Sequence, residues 1–308
     1  MVRTMSLAAL LAALLVTAVV SGQTTASQPA QQVFATPRAA ADALVEACKN
    51  NDSPALIRML GTRYGEQLKK MDDAEERQHR LDFYNKAHAH LKIEERDSQA
   101  VLIIGRELWP VPIPLIKEGA AWRFDTDAGL EELRARRIGE NELAVIEVCQ
   151  EYVRMQVDYA AVDRDRDEVR EYAQQLVSAA GQRDGLYWER DAAAHERPSP
   201  LEALLPDYFG DLKNCKPGVP YMGYHFKVLT RQGAHPPGGK YDYIINGNMI
   251  AGFALLAWPA DYGASGVMTF VISHQGRLFE KDLGPATAKL AEATAEYDPD
   301  KTWEPVKP

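Results

Sequence analysis

Tyr221-Met222-Gly223-Tyr224-His225-Phe226-Lys227-Val228-Leu229-Thr230 opens a stretch that runs to Gly284 and decides how this chain is read. From Tyr224 onward, Tyr224, Phe226 and Val228 alternate with His225, Lys227 and Leu229, the period of two expected of a strand with one buried face. After the Gly/Pro-rich loop from Arg231 to Lys240, Tyr241-Asp242-Tyr243-Ile244-Ile245 enters Asn246-Gly247-Asn248, whose tolerance of positive φ suits a tight hairpin. Met249 to Trp258 is apolar almost throughout, which predicts a strand covered on both faces and ended by Pro259. Val267 to Ile272, a turn at His274-Gln275-Gly276, and Arg277 to Glu280 complete a predicted antiparallel meander.

Working outward, Pro285 to Glu296 predicts a last short helix, followed by a tail whose Trp303 docks on the body. Upstream, Ala128 to Arg137 predicts a connecting helix, and Gly139-Glu140-Asn141 leads into a long one from Glu142 to about Val162. On a wheel, Val145, Val148, Cys149, Tyr152 and Tyr159 line one side, and Ile146, Val153, Val157 and Ala160 widen the arc toward Leu143. That arc covers about half the circumference, more than the roughly 100° a helix needs to cover one surface. Something besides one sheet must cover it, and the preceding domain is the nearest candidate.

That domain begins at Thr36-Pro37, a capping hydroxyl followed by a proline whose missing N–H costs nothing at the first helical position. Helices are predicted from Pro37 to about Asn50, from Asp52-Ser53-Pro54 through Leu60, and from Tyr64 to about His90, the last with a polar interruption at 74–80. Strands follow at Gln99 to Gly105, Val111 to Lys117 and Ala120 to Asp125. This order of helices before a curved antiparallel sheet resembles the cystatin or NTF2-like fold.

Met1 to Ser21 has Arg3, then an apolar run from Leu7 to Val20, then small residues, the layout of a secretory signal peptide. The run falls short of the roughly 20 residues of a membrane-spanning helix. Residues 1–22 are therefore assigned as signal, 23–33 as a solvated leader, 34–126 as an N-terminal α+β domain and 127–308 as a C-terminal helix-plus-meander domain. A net charge of −9 lacks the positive field that dominates nucleic-acid affinity, so no nucleic-acid partner is expected. Three cysteines, Cys48, Cys149 and Cys215, allow at most one intramolecular disulfide, and Cys149 to Cys215 is the expected pair if one forms.

Gly223-Tyr224-His225-Phe226, Pro237-Gly238-Gly239-Lys240-Tyr241-Asp242-Tyr243, Gly252 to Ala260, Tyr262-Gly263, Ser265 to Phe270 and Glu280-Lys281-Asp282-Leu283-Gly284 together resemble the secreted bacterial family designated domain of unknown function 2950. The resemblance extends through Trp109-Pro110, Pro112-Ile113-Pro114, Trp122 to Asp125, Arg136 to Gly139, Asn141-Glu142 and Asp184 to Trp188. It implies a periplasmic or secreted protein and carries no catalytic residues with it. A long helix carrying Gln156 and Tyr159, then a short segment at Glu171-Tyr172-Ala173 and a meander, is also similar to the soluble headpiece of type IV pilins and pseudopilins. Here, however, a signal and a whole domain precede the match, whereas a pilin carries its assembly helix at the mature N-terminus.

Candidate chemistry is sparse. Asp163-Arg164-Asp165-Arg166-Asp167 has carboxylates at the first, third and fifth places of a calcium loop, but Glu168 stands where glycine is needed and Gln174 where the bidentate glutamate belongs. His88 and His90 point to different faces of a predicted helix, and His225 and His274 have no ligand companions nearby in sequence. Ser265, between Ala264 and Gly266, precedes a strand and so does not form a nucleophile elbow. Pro236 to Lys240 lacks the spacing and the helix of a phosphate loop. Two loops remain as recognition candidates, Gly233 to Lys240 and Asp261 to Ser265.

The sequence thus predicts an α+β protein without catalytic residues, cofactor or metal, acting in protein interaction or envelope assembly with an envelope protein as partner. The alternative is a small-ligand binder or enzyme with a first-domain pocket lined by Tyr64, Tyr84, His88, Trp109 and Trp122.

Overall fold

The computed structural model describes residues 31–64, 74–164, 167–189, 197–204 and 219–307. The signal assignment and most of the leader lie outside these residues. The chain divides into two units between Arg136 and Arg137.

In the first unit, Thr36 Oγ1 accepts the Ala39 amide at 3.1 Å and starts α1 (Pro37–Lys49), as its sequence predicts. Asp52 caps α2 (Ser53–Leu60) in the same way. α3 spans Ala74–Ala89, and residues 65–73 of the predicted helix lie outside the described residues. The end of α3 agrees with the predicted one at about His90, and Leu91–Arg96, for which no strand was predicted, is β1, which turns through Asp97, at φ +52°, into β2 (Gln99–Ile104). β3 (Trp109–Pro110), β4 (Leu115–Glu118) and β5 (Ala121–Phe124) complete an antiparallel sheet of order β1-β2-β4-β5, with β3 also on β2. The predicted strand from Val111 to Lys117 keeps only its second half, since Pro112 and Pro114 cannot donate to a ladder. Alternation on β2 turns Ala100, Leu102 and Ile104 inward against Leu44, Phe83 and Ala87. Gln31 and Gln32 are held, not solvated as the leader assignment expects: Gln31 Nε2 donates to Met59 O at 2.7 Å and Phe124 O at 2.8 Å, and the Gln32 amide to Arg58 O.

The helix predicted in two pieces is one, α4 (Thr126–Ala160). Gly139 costs a helix about 1 kcal/mol relative to alanine, too little to break it. Leu133 is buried in the first unit's core, and Val145, Cys149, Tyr152, Met155 and Tyr159 in the second's. β6 (Gln175–Val177) pairs in parallel with β7 (Gly185–Tyr187), and a short α5 (Pro200–Leu204) follows. β8 (Tyr224–Leu229) leads to three two-residue strands besides β9 (Arg231–Gln232): β10 (Tyr241–Asp242), β11 (Ile244–Ile245) and β12 (Asn248–Met249). β13 (Ala254–Pro259), β14 (Met268–Ser273), β15 (Leu278–Asp282), α6 (Thr287–Ala293) and β16 (Glu304–Pro305) close the unit.

The main sheet is antiparallel and five-stranded, of order β16-β15-β14-β13-β8. All six residues of β13 are buried, as its unbroken apolar run predicts. Its start is later than predicted because Gly252, at φ +152° and in contact with His274 and Tyr243, turns the chain between Met249 and Ala254. Pro259 ends the strand as predicted, pairing with Tyr224 as its last residue. Trp303 packs against this core as predicted. Among the described residues, no helix is long and apolar enough to cross a membrane.

Candidate functional site

Gly233 to Lys240 leaves β9 as an exposed loop, and two side chains beneath it fix its shape. Gln232 is fully buried, and its Nε2 donates to Pro237 O and Gly239 O, both at 2.9 Å, while Tyr243 Oη donates to its Oε1 at 3.3 Å. One amide thus satisfies two carbonyls that the Pro-Pro-Gly-Gly turn leaves without backbone partners. Burial pushes the Tyr243 hydroxyl above its ordinary range, so it stays a donor. On the other side Asp298 accepts the His235 amide at 2.8 Å and meets its Nδ1 at 2.9 Å. Gly233 has to be glycine here, because a Cβ would lie 2.2 Å from Asp298 Cγ. Lys240 Nζ stands 3.4 Å from Glu296. The loop therefore presents Ala234, His235, Pro237 and Gly238 to solvent from a fixed frame.

The other candidate loop, Asp261 to Ser265, is closed by its own serine and held by α4. Ser265 Oγ accepts the Asp261 amide at 3.0 Å and donates to Asp261 O at 3.1 Å, so this serine is spent on its own turn. Asn141 Nδ2 donates to Ser265 O at 2.8 Å, and Glu142 Oε1 accepts the amides of Val267 and Met268, each at 2.9 Å. Tyr224 Oη donates to Met268 O at 2.9 Å and lies 3.4 Å from Glu142. Burial first, then the Glu142 charge, pushes the Tyr224 hydroxyl far above its ordinary range. A Cβ on Gly266 would fall 2.1 Å from Tyr224 Oη, so the glycine admits the tyrosine ring. Tyr224, Glu142 and Gly266 form a lock between α4 and the start of β14. No proton in it is poised to leave at neutral pH.

A second lock lies further along α4. Gln156, fully buried, donates to Ala173 O at 2.9 Å and accepts the Ala173 amide at 2.8 Å, tying the segment predicted at Glu171-Tyr172-Ala173 to the helix. Asp163 and Asp167 spend their carboxylates on the Glu168 and Val169 amides, and Asp167 also accepts from Asn248. Asp165 and Arg166 lie outside the described residues. Arg164 stacks between the rings of Tyr159 and Trp188, at 5.1 and 5.0 Å, and its guanidinium stands 3.9 Å from the Asp158 carboxylate. No group of three His, Cys, Asp or Glu that could hold a metal occurs among the described residues.

The histidines and cysteines have ordinary surroundings. His225 lies against Trp258, and His88 against Tyr84 at 5.6 Å. His274 sits edge-on to Tyr243 and Phe253, and burial lowers its pKa. Cys149, the expected bridge partner of Cys215, is a free, fully buried thiol pushed up to about 12, and Cys215 lies outside the described residues. The five residues of the first-domain pocket have separate partners. Tyr64 donates to Asp127, Trp109 faces the Arg136 guanidinium, Trp122 is buried under Lys117, and Tyr84 and His88 face each other on α3.

Sequence reasoning located the loop but missed its supports. Gln232 and Asp298 carry no local pattern, and only the fold brings position 298 to position 233. The Tyr224–Gly266 contact was equally silent, although both residues lie in motifs already singled out.

The site is thus a rigid surface loop on an α+β scaffold with a long helix and a five-stranded antiparallel sheet. The family described as protein of unknown function (DUF2950) matches residues 31–306, and the chain belongs to it. No curated protein and no solved structure matches.

Proposed function

We propose that this chain is an exported envelope protein of the periplasm or cell surface that works by contact with another envelope protein and not by catalysis, with Gly233 to Lys240 as its contact loop. The observation that carries this reading is the double support of the loop by buried Gln232 and by Asp298, which orders a mostly exposed segment. An ordered loop loses little further entropy on binding. The groups a hydrolase would use, Ser265, Glu142 and Tyr224, are engaged in structural bonds. Export rests on the Arg3, Leu7–Val20 and Ser21 pattern.

A photo-crosslinking residue at Pro237, installed in living cells, tests this. A discrete adduct with one envelope protein, lost with Gln232→Ala, is expected. A protein recovered from the cytoplasm, or an adduct unchanged by Gln232→Ala, contradicts it.

A further inference from the structure

The wide apolar arc on α4 has a second use. Val145, Cys149, Tyr152, Met155 and Tyr159 are buried on the sheet side. Beside them runs another stripe, Leu143, Ile146, Gln150, Val153, Val157 and Ala160, spaced three, four, three, four and three residues apart. That is the a/d spacing by which one helix packs along another. Its outer edge is uncovered: Leu143 is 69% exposed, Val157 60% and Gln150 is exposed, while Ile146 and Val153 lie half-buried along the second unit's core. At its far end the stripe opens into a groove of about 500 Å³, lined by Val153, Arg154, Val157, Asp158, Ala161 and Ala203.

We propose that this flank is a self-association surface, and that its occupant is the same flank of a second copy of this chain, lying antiparallel. Three observations select that occupant. The stripe carries a large protruding side chain, Leu143, at one end and small ones, Ala160 and Ala161, beside a groove at the other, about 26 Å away along the axis at 1.5 Å per residue. An antiparallel two-fold places the Leu143 of each copy opposite Ala160 of the other and into that groove, which is the self-complementarity an isologous contact requires. The same register sets Ile146 opposite Val157 and Gln150 opposite Val153, so that Gln150, the one polar residue of the stripe, enters the two central layers and fixes alignment at some cost in strength. Charge agrees: Glu147 and Arg154 are exposed on the same edge of the stripe and come opposite one another twice across the two-fold, where Arg154 would exchange or share its exposed ion pair with Glu151, 2.8 Å away on its own helix. A seam of five turns covers less than the roughly 800 Å² per partner of a standard interface, so the dimer is weak and reversible. This inference does not depend on the loop, which is a separate surface.

Sedimentation velocity on the full chain from about 1 μM to about 1 mM reads the association directly. The wild type shifts from monomer to dimer within that range, and Leu143→Glu stays monomeric with an unchanged circular dichroism spectrum, since position 143 is exposed. Glu147→Arg or Arg154→Glu alone weakens dimerisation roughly tenfold, and the double exchange restores it. A wild type monomeric throughout overturns the proposal, as does a dimer indifferent to Leu143→Glu. A double exchange that fails to restore association overturns the antiparallel register.

Discussion

The two flanks of α4 carry nearly the same apolar content and meet opposite fates. On the sheet side, Tyr152 and Gln156 are fully buried, and every polar atom they bring with them is bonded. On the other, Leu143 and Val157 stand in solvent with no polar work to do. Burial of polar groups on one side implies permanence, because breaking that contact strands each of them. An apolar stripe without such groups can be covered and uncovered at little cost.

The largest contrast comes from truncating the permanent side. Tyr152→Ala removes a buried ring packed edge-on against Phe253 at 5.6 Å and should cost about 3–5 kcal/mol in urea unfolding. Gln156→Leu keeps the volume but strands the Ala173 amide and carbonyl, for about 1–3 kcal/mol, with amide exchange at Ala173 accelerated accordingly. A smaller effect is expected from pH. His274, beside Phe253 in the same aromatic group, has its folded pKa lowered by burial, so the unfolded chain binds the extra proton. Stability is then fully present above the unfolded value of about 6.5 and falls as pH drops below it toward the folded pKa. His274→Gln should flatten that limb of the urea midpoint plotted against pH. The smallest effect belongs to the uncovered flank. Leu143→Ser should leave monomer stability within about 0.5 kcal/mol while abolishing dimerisation.

Much of this architecture was legible in the chain. Alternation at Tyr224–Leu229, the apolar run into Trp258 and the Asn246-Gly247 turn marked the meander because strands and turns are local patterns. The excess width of the apolar arc on α4 was equally local, and so was readable before any partner was. Boundaries set by tertiary contact were not readable. Gly139 stays helical, β1 forms where no element was predicted, and Gly252 delays β13 because of where His274 and Tyr243 lie. The supports of the candidate loop were hidden for the same reason: Gln232 and Asp298 matter only once the sheet has brought them together.

Side-chain footprinting of the wild type as a function of protein concentration compares both flanks in one measurement. Tyr152 should resist labelling at every concentration, while Leu143 and Val157 label readily when dilute and become protected together as the dimer forms. Protection of Leu143 and Val157 at the lowest concentration, or labelling of Tyr152 in the folded protein, would contradict the division of α4 into a permanent and a reversible side.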